Sequence, residues 1–156
     1  MSDDNKGIKY FLICIDVFTR YLYIQSMKDK TKEMVIKSLK KILKDEQPAV
    51  LEMDFGSEFV SLPFKKLLKD KNIYAQNVDK GMTNTSLGTL NRVCRTIRDM
   101  INKYMTLHNT HTYIDVLPKL ICNYNHTFHS GNKGEPAKPG LDLIKNILDK
   151  NIEMHK

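Results

Sequence analysis

The chain contains no tryptophan, and only three cysteines and four arginines among its 156 residues. The cysteines, Cys14, Cys94 and Cys122, are odd in number, far apart in sequence and never in a C-x-x-C pair. That argues against a disulfide framework and fits a reducing compartment. No apolar run is long enough to span a bilayer, and Met1 is followed by Ser-Asp-Asp-Asn rather than a signal sequence. A soluble intracellular protein with no membrane partner is the expectation. Two N-x-[ST] sequons, at Asn84 and Asn125, then read as chance. There is no internal repeat, no sign of a second domain, and no specific Ser/His/Asp or Cys/His pattern for nucleophilic catalysis.

What is present is positive charge over a sizeable apolar fraction. Formal net charge is +7, with 41% of residues hydrophobic, which suits one compact domain over 1–156. The charge divides into +3 for residues 1–78 and +4 for 79–156, so there is no detached basic tail. A basic domain suits a polyanionic partner such as nucleic acid. A lysine-rich composition from an AT-rich genome would give the same balance.

Periodicity predicts an α/β chain. "IKYFLICI" (8–15) reads as a strand buried on both faces, and "RYLYIQSM" (20–27) as its antiparallel neighbour. Residues 31–45 read as a helix capped by Thr31, with Met34, Val35, Leu39, Ile42 and Leu43 on one face. Strands are expected at 49–53 and 73–78, flanking a short helix at 61–72 that has Pro63 near its start. Residues 79–88 read as a mobile Gly/Thr/Asn/Ser loop. Helices are expected at 89–107, 112–128 and 141–153, with 130–140 as a connector and 1–7 as a flexible tail. The order implies a mixed sheet, with an antiparallel hairpin at one side and parallel strands beside it.

Two carboxylates stand at strand ends, Asp16 after the first strand and Asp54 after the third. If those strands are parallel neighbours, both acids emerge at the carboxyl edge of the sheet and would share a cation such as Mg²⁺ or Mn²⁺. A strand-ending Asp is also a common turn residue with no further role. The surrounding motifs add to this. "IDVFTRYLYI" (15–24), "MDFGSEF" (53–59) and "LGTLNRVCRTIRDMI" (87–101), in that order, resemble the catalytic core of the retroviral-type integrases. The likeness is nearest to the integrases of Maverick/Polinton transposons and related viruses. "NTHTYIDVLPKLICNYNHTFHSG…EPAKP" (109–139) resembles the closing helix of that family.

The resemblance implies an RNase H-like fold with a five-stranded mixed sheet flanked by helices. It implies DNA 3′-end processing and strand transfer by two-metal phosphoryl transfer, with Mg²⁺ or Mn²⁺ on Asp16, Asp54 and a third position. It also implies DNA ends and target DNA as partners, a dimer or higher multimer, and a nucleus or viral replication compartment. The third position, usually Glu, falls on Asn91, 37 residues after Asp54. An amide offers a carbonyl oxygen to a hard cation but no negative charge, so the second metal would bind weakly and activity would fall. Either an acid has been exchanged for its near-isostere to silence the site, or a natural copy has lost catalysis and kept the fold as a DNA-binding or assembly module. Arg95 and Arg98 follow Asn91 by one and two helical turns, with Arg92 beside them. The family pattern gives such residues the phosphates of the DNA end. A solvated helix face is the bland alternative. Cys122, His126 and His129, with His108 and His111 upstream, lack the fourth ligand and tight spacing of a zinc site, and the helix face carrying the first three reads as packing against the sheet.

Overall fold

A computed structural model describes residues 3–78, 86–130 and 134–137. Strand β1 (Tyr10–Ile15) pairs antiparallel with β2 (Leu22–Met27), with Leu12 opposite Gln25 and Cys14 opposite Tyr23. The connecting turn is built by Asp16, whose carboxylate accepts the N–H groups of Phe18 (2.7 Å) and Thr19 (2.9 Å). Arg20 closes the turn at a φ of 65°. Helix α1 (Lys32–Ile42) starts as its sequence predicts, Thr31 accepting the N–H of Met34, with Glu33 in the first turn. Strand β3 (Val50–Met53) lies parallel to β4 (Tyr74–Asn77), and α2 (Leu62–Asp70) connects them with Pro63 in its first turn. Two further helices follow, α3 (Ser86–Leu107) and α4 (Leu117–Asn125).

Alternation along the strands separates two cores. Leu12 and Met27 turn toward α1 and α2 and pack with Val35, Leu39, Phe64 and Leu68. Phe11, Ile13, Ile15, Leu22 and Ile24 turn the other way and meet Val93, Ile97, Ile101, Leu117 and Tyr124. The result is helices, strands, helices in three layers.

Several expectations need correcting. Among the described residues there are four strands rather than five, and they form two separate two-stranded sheets, β1–β2 and β3–β4. Ser86 to Gly88, read as loop, belong to the first turn of α3, where Leu87 faces the interior cavity. The helix expected over 112–128 is shorter, because Pro118 sets the first turn of α4 and residues 114–116 form a turn before it. Asn5, in the stretch expected to be a flexible tail, is fully buried. Its amide donates to the carbonyl of His111 (2.9 Å) and accepts the N–H groups of Tyr113 and Ile114. The helix expected at 141–153 and most of the 130–140 connector lie outside the described residues.

A second buried amide performs the corresponding task at the other end. The Asn125 side chain accepts the N–H of Leu22 (2.8 Å) and donates to the carbonyl of Leu22 (3.0 Å), and it is 2% exposed. With both its polar atoms held inside the fold, this sequon is closed to glycosylation in the folded chain. Asn125→Ala leaves both backbone groups of Leu22 buried without that partner, at about 1–3 kcal/mol each. The expected outcome is a melting temperature lower by several degrees in a circular-dichroism melt, with Asn125→Asp no better, since a carboxylate cannot donate to the Leu22 carbonyl.

Candidate active site

Asp54 follows directly on β3, and its Oδ1 accepts the N–H of Gly56 at 3.1 Å, which folds the chain back on itself. Gly56 sits at a close approach where any side chain would force its neighbours to shift. A Cβ there would lie 3.0 Å from the Glu58 carboxylate and 3.1 Å from Asp54 Oδ1. Both carboxylates therefore crowd one point, with Glu58 Oε2 and Asp54 Oδ1 no more than about 6 Å apart. The turn is completed by Phe59 and Val60 donating to the Gly56 carbonyl, and Phe59 stacks edge-on against Phe64 in the core.

Asn91 stands on the opposite wall. It is exposed on α3 and lines the same cavity of about 590 Å³ as Asp54, with Leu87, Gly88 and Leu90 beside it. Arg95 and Arg98 are exposed one and two turns further on, and Arg92 is exposed on the neighbouring row. Val93, Ile97 and Ile101, on the far side of the helix, are buried. The basic stripe and the buried stripe are thus opposite faces of one amphipathic helix.

Asp16 does not join Asp54. It lines a second cavity of about 500 Å³ together with Val17, Phe18, Pro48 and Val50. The first cavity instead pairs Leu12 of β1 with Met53 and Asp54 of β3. Along the gap, β1 therefore ascends as β3 descends, and the two strands run antiparallel rather than as parallel neighbours. Asp16 and Asp54 end up at opposite ends of the gap, so the shared-cation arrangement inferred from matching strand ends does not form between them. Asp16 instead holds its own turn, as a strand-ending Asp commonly does.

Two acids that the sequence reading did not place in the site are near it. Glu58 is one, signalled only by its spacing from Asp54. Glu52 is the other. It lines both cavities and interrupts the apolar run of β3, which is the signal that could have found it. Even so, among the described residues no group of three His, Cys, Asp or Glu side chains is close enough to hold a metal ion. A pair of divalent cations needs several carboxylates to offset its charge. Asp54, Glu58 and the neutral Asn91 do not amount to that donor set.

Burial pushes the Cys14 thiol up to about 12, which disfavours a thiolate there. Cys94 is also raised by burial, with the nearby Arg98 charge pulling the other way. Cys122 and His126 touch at 3.6 Å on the exposed face of α4, whereas His129 bonds the Tyr124 carbonyl and packs on that ring. The fourth arginine, Arg20, donates to Thr89 (3.2 Å) and pins the β1–β2 turn to α3.

Residues 1–82, more than half of the chain, match the family model of the integrase core domain. The chain belongs to that family. A transposon-derived protein of Caenorhabditis elegans is 30% identical over 138 residues, covering 87% of this chain and 46% of the relative. The chain therefore spans just under half the length of that relative. Among solved structures, the HTLV-2 integrase catalytic core in complex with magnesium superposes with a TM-score of 0.67 at 17% identity, over 81% of this chain and 80% of that one. The BIV integrase catalytic core gives 0.67 at 14% identity, covering 92% and 88%. A chain of the simian T-cell lymphotropic virus intasome in complex with PP2A regulatory subunit B56 gamma gives 0.71 at 17% identity, over 80% of this chain and 45% of that one. The fold is thus the RNase H-like fold of retroviral integrase cores.

For an integrase core, the placement of Asp16 has a direct consequence. Asp16→Ala removes the acceptor of two turn N–H groups and should cost about 1 kcal/mol or somewhat more, while Asp16→Asn keeps an acceptor oxygen. Thermal melts are expected to rank wild type and Asp16→Asn together, with Asp16→Ala clearly lower.

Proposed function

We propose that this chain is the DNA-gripping core of an integrase-type recombinase, in which α3 lays Arg95 and Arg98 on the phosphates of a DNA end. The chemistry of such a core is end processing by water followed by attack of the freed 3′-hydroxyl on target DNA. In the present form the phosphoryl-transfer step is silenced, because Asn91 carries no charge where the family carries an acid. The observation that supports this reading best is the sharing of one cavity by Asp54 and Asn91, with the arginines continuing along the same helix face. Arg92 extends the basic surface sideways, and the net charge of +7 adds a long-range pull on a polyanion.

The roles of the chain's own residues follow. Arg95 and Arg98 bind and orient the phosphate backbone through planar, bidentate donors. Arg92 contributes charge near the same strand. Asp54 and Glu58, held together across Gly56, keep negative charge at the mouth of the cavity, where a hard cation would bind. Family members assemble as multimers, and a homodimer or larger assembly on two DNA ends is part of this reading. A nuclear or viral replication compartment is the setting in which such a substrate is met.

Two measurements test the proposal. In fluorescence anisotropy with a duplex DNA end, Arg95→Glu combined with Arg98→Glu should weaken binding by roughly tenfold or more, and losing two phosphate contacts should flatten the log–log salt slope by about 1.8. Unchanged affinity and slope would remove DNA from the α3 face.

The second is a melt with Mn²⁺. The Asn91→Asp variant should gain a metal-dependent rise in Tm that the chain as it stands lacks. Adding Asp54→Asn should abolish that rise, and adding Asp16→Asn should not. No metal response in the Asn91→Asp variant would overturn the pairing of positions 54 and 91.

A further inference from the structure

A second basic face lies on the other side of the molecule from α3. Helix α1 buries Val35, Leu39 and Ile42, and at 3.6 residues per turn Lys37, Lys40 and Lys41 fall within a sector of about 100° opposite them. All three are exposed, as is Lys44 just beyond the helix end. Helix α2 repeats the pattern, with Phe64, Leu67 and Leu68 buried and Lys65, Lys66 and Lys69 exposed. The two helices share one core, and their ends are tied where Lys71 Nζ donates to the Leu43 carbonyl (3.3 Å). Packed helix axes lie about 8–10 Å apart, so the two lysine rows form one field. The core beneath it packs on the face of the strands opposite to the core beneath α3.

The spacing within the field works against the helices that carry it. Lys37 and Lys41 are four residues apart, as are Lys65 and Lys69, and like charges at that spacing repel and weaken a helix. Among the described residues, none of these lysines forms an ion pair with an acid. The acids of the two helices, Glu33 and Asp70, stand in the first turn of α1 and at the last residue of α2. Helix dipoles favour Lys40, Lys41 and Lys69, which lie in last turns, but not Lys37, Lys65 or Lys66. A polyanion laid across the field relieves the repulsion that the fold leaves in place.

We infer that the outer face of α1 and α2 is a second DNA-binding surface, independent of sequence and weaker than the α3 face. From Lys37 to Lys44 the field runs about 10 Å along α1, and about 10 Å of duplex axis carries about six phosphates. Lysine suits the task, as a flexible point charge that meets a phosphate without the fixed fork of arginine. Phosphate contacts position a duplex without reading its bases. A membrane is a poorer fit, because Leu62 is the one large apolar side chain exposed on these two helices and there is no apolar face to enter a bilayer. The lysine surface stands on these observations alone. Its consequence, that one chain holds two duplexes on opposite sides of its strand layer, rests in addition on the α3 grip proposed above.

The test uses the 156-residue chain and a short duplex of arbitrary sequence. Lys37→Gln, Lys40→Gln, Lys66→Gln and Lys69→Gln are combined in one variant, which keeps the fold because Gln forms helix about as well as Lys. A circular-dichroism melt checks this. In the Arg95→Glu, Arg98→Glu background, fluorescence anisotropy should show residual DNA binding. The four Gln substitutions should weaken it by roughly tenfold or more and flatten its log–log salt slope by about 3. With the arginines intact, a bead-bound duplex should retain a second, fluorescent duplex, and the four substitutions should abolish that retention while single-duplex binding persists. No residual binding in the arginine background, or residual binding that the Gln substitutions leave unchanged, overturns the inference. So does a field that binds phosphatidylserine vesicles and not DNA. Retention that survives the Gln substitutions means two copies each bring one duplex, and it overturns the two-duplex arrangement. If the arginine changes alone do nothing and the Gln substitutions remove all DNA binding, the lysine surface is upheld and the α3 grip falls.

Discussion

The paired hydrogen bonds from the Asn125 amide to both backbone groups of Leu22 hold the helical layer of α3 and α4 against the strand layer. Leu22 begins an edge strand whose outer N–H and C=O would otherwise lie buried without a ladder. The amide supplies a donor and an acceptor in one planar group, which stands in for a strand there. Tyr124, the residue before it, inserts into the same core as Val93 and Ile97. Through that cluster the clamp fixes the pitch of α3 over the sheet, and with it the position of Asn91 and the arginines. Asn5 repeats the device, tying the start of the chain to the backbone just before α4.

With α3 fixed, the site follows from which face of the helix is left over. Its buried stripe is taken by Val93, Ile97 and Ile101, so the stripe carrying Asn91, Arg95 and Arg98 has to face outward. Asn91 sits where the stripe crosses the end of β3, and that places it across the cavity from Asp54. The surface then combines a basic groove wall with a carboxylate mouth. That combination suits binding a polyanion and presenting one of its phosphates at a defined point. In the reading proposed above, the integrase core family gives that surface its meaning, and the neutral Asn91 limits what it does.

Among the described residues, the gap between β1 and β3 keeps apart acids that could otherwise share a cation. A sheet interrupted at its centre separates the acids that flank the interruption, and here Asp16 and Asp54 fall at its two ends. Glu52 and Glu58 stay on the β3 side. The four strands belong to one layer by the cores above and below them, yet they form two ladders. Hydrophobic cover is continuous where hydrogen bonding is not.

Local chemistry was legible in the residues themselves. The alternation and β-branched content of residues 10–15 and 22–27 determined a hairpin, and Thr31 and Pro63 marked helix starts. The 3.6-residue recurrence along 87–104 determined which face of α3 is basic. These depend on neighbours within a few positions, where side-chain and backbone preferences act directly. Strand polarity across the sheet is set instead by how distant segments pack, and no local pattern encodes it. That is why Asp16 and Asp54, alike in sequence context, were separated only by the tertiary structure. It is also why two ordinary asparagines, one of them inside a sequon, became the buried clamps of the fold: an amide's value depends on which distant backbone groups it meets.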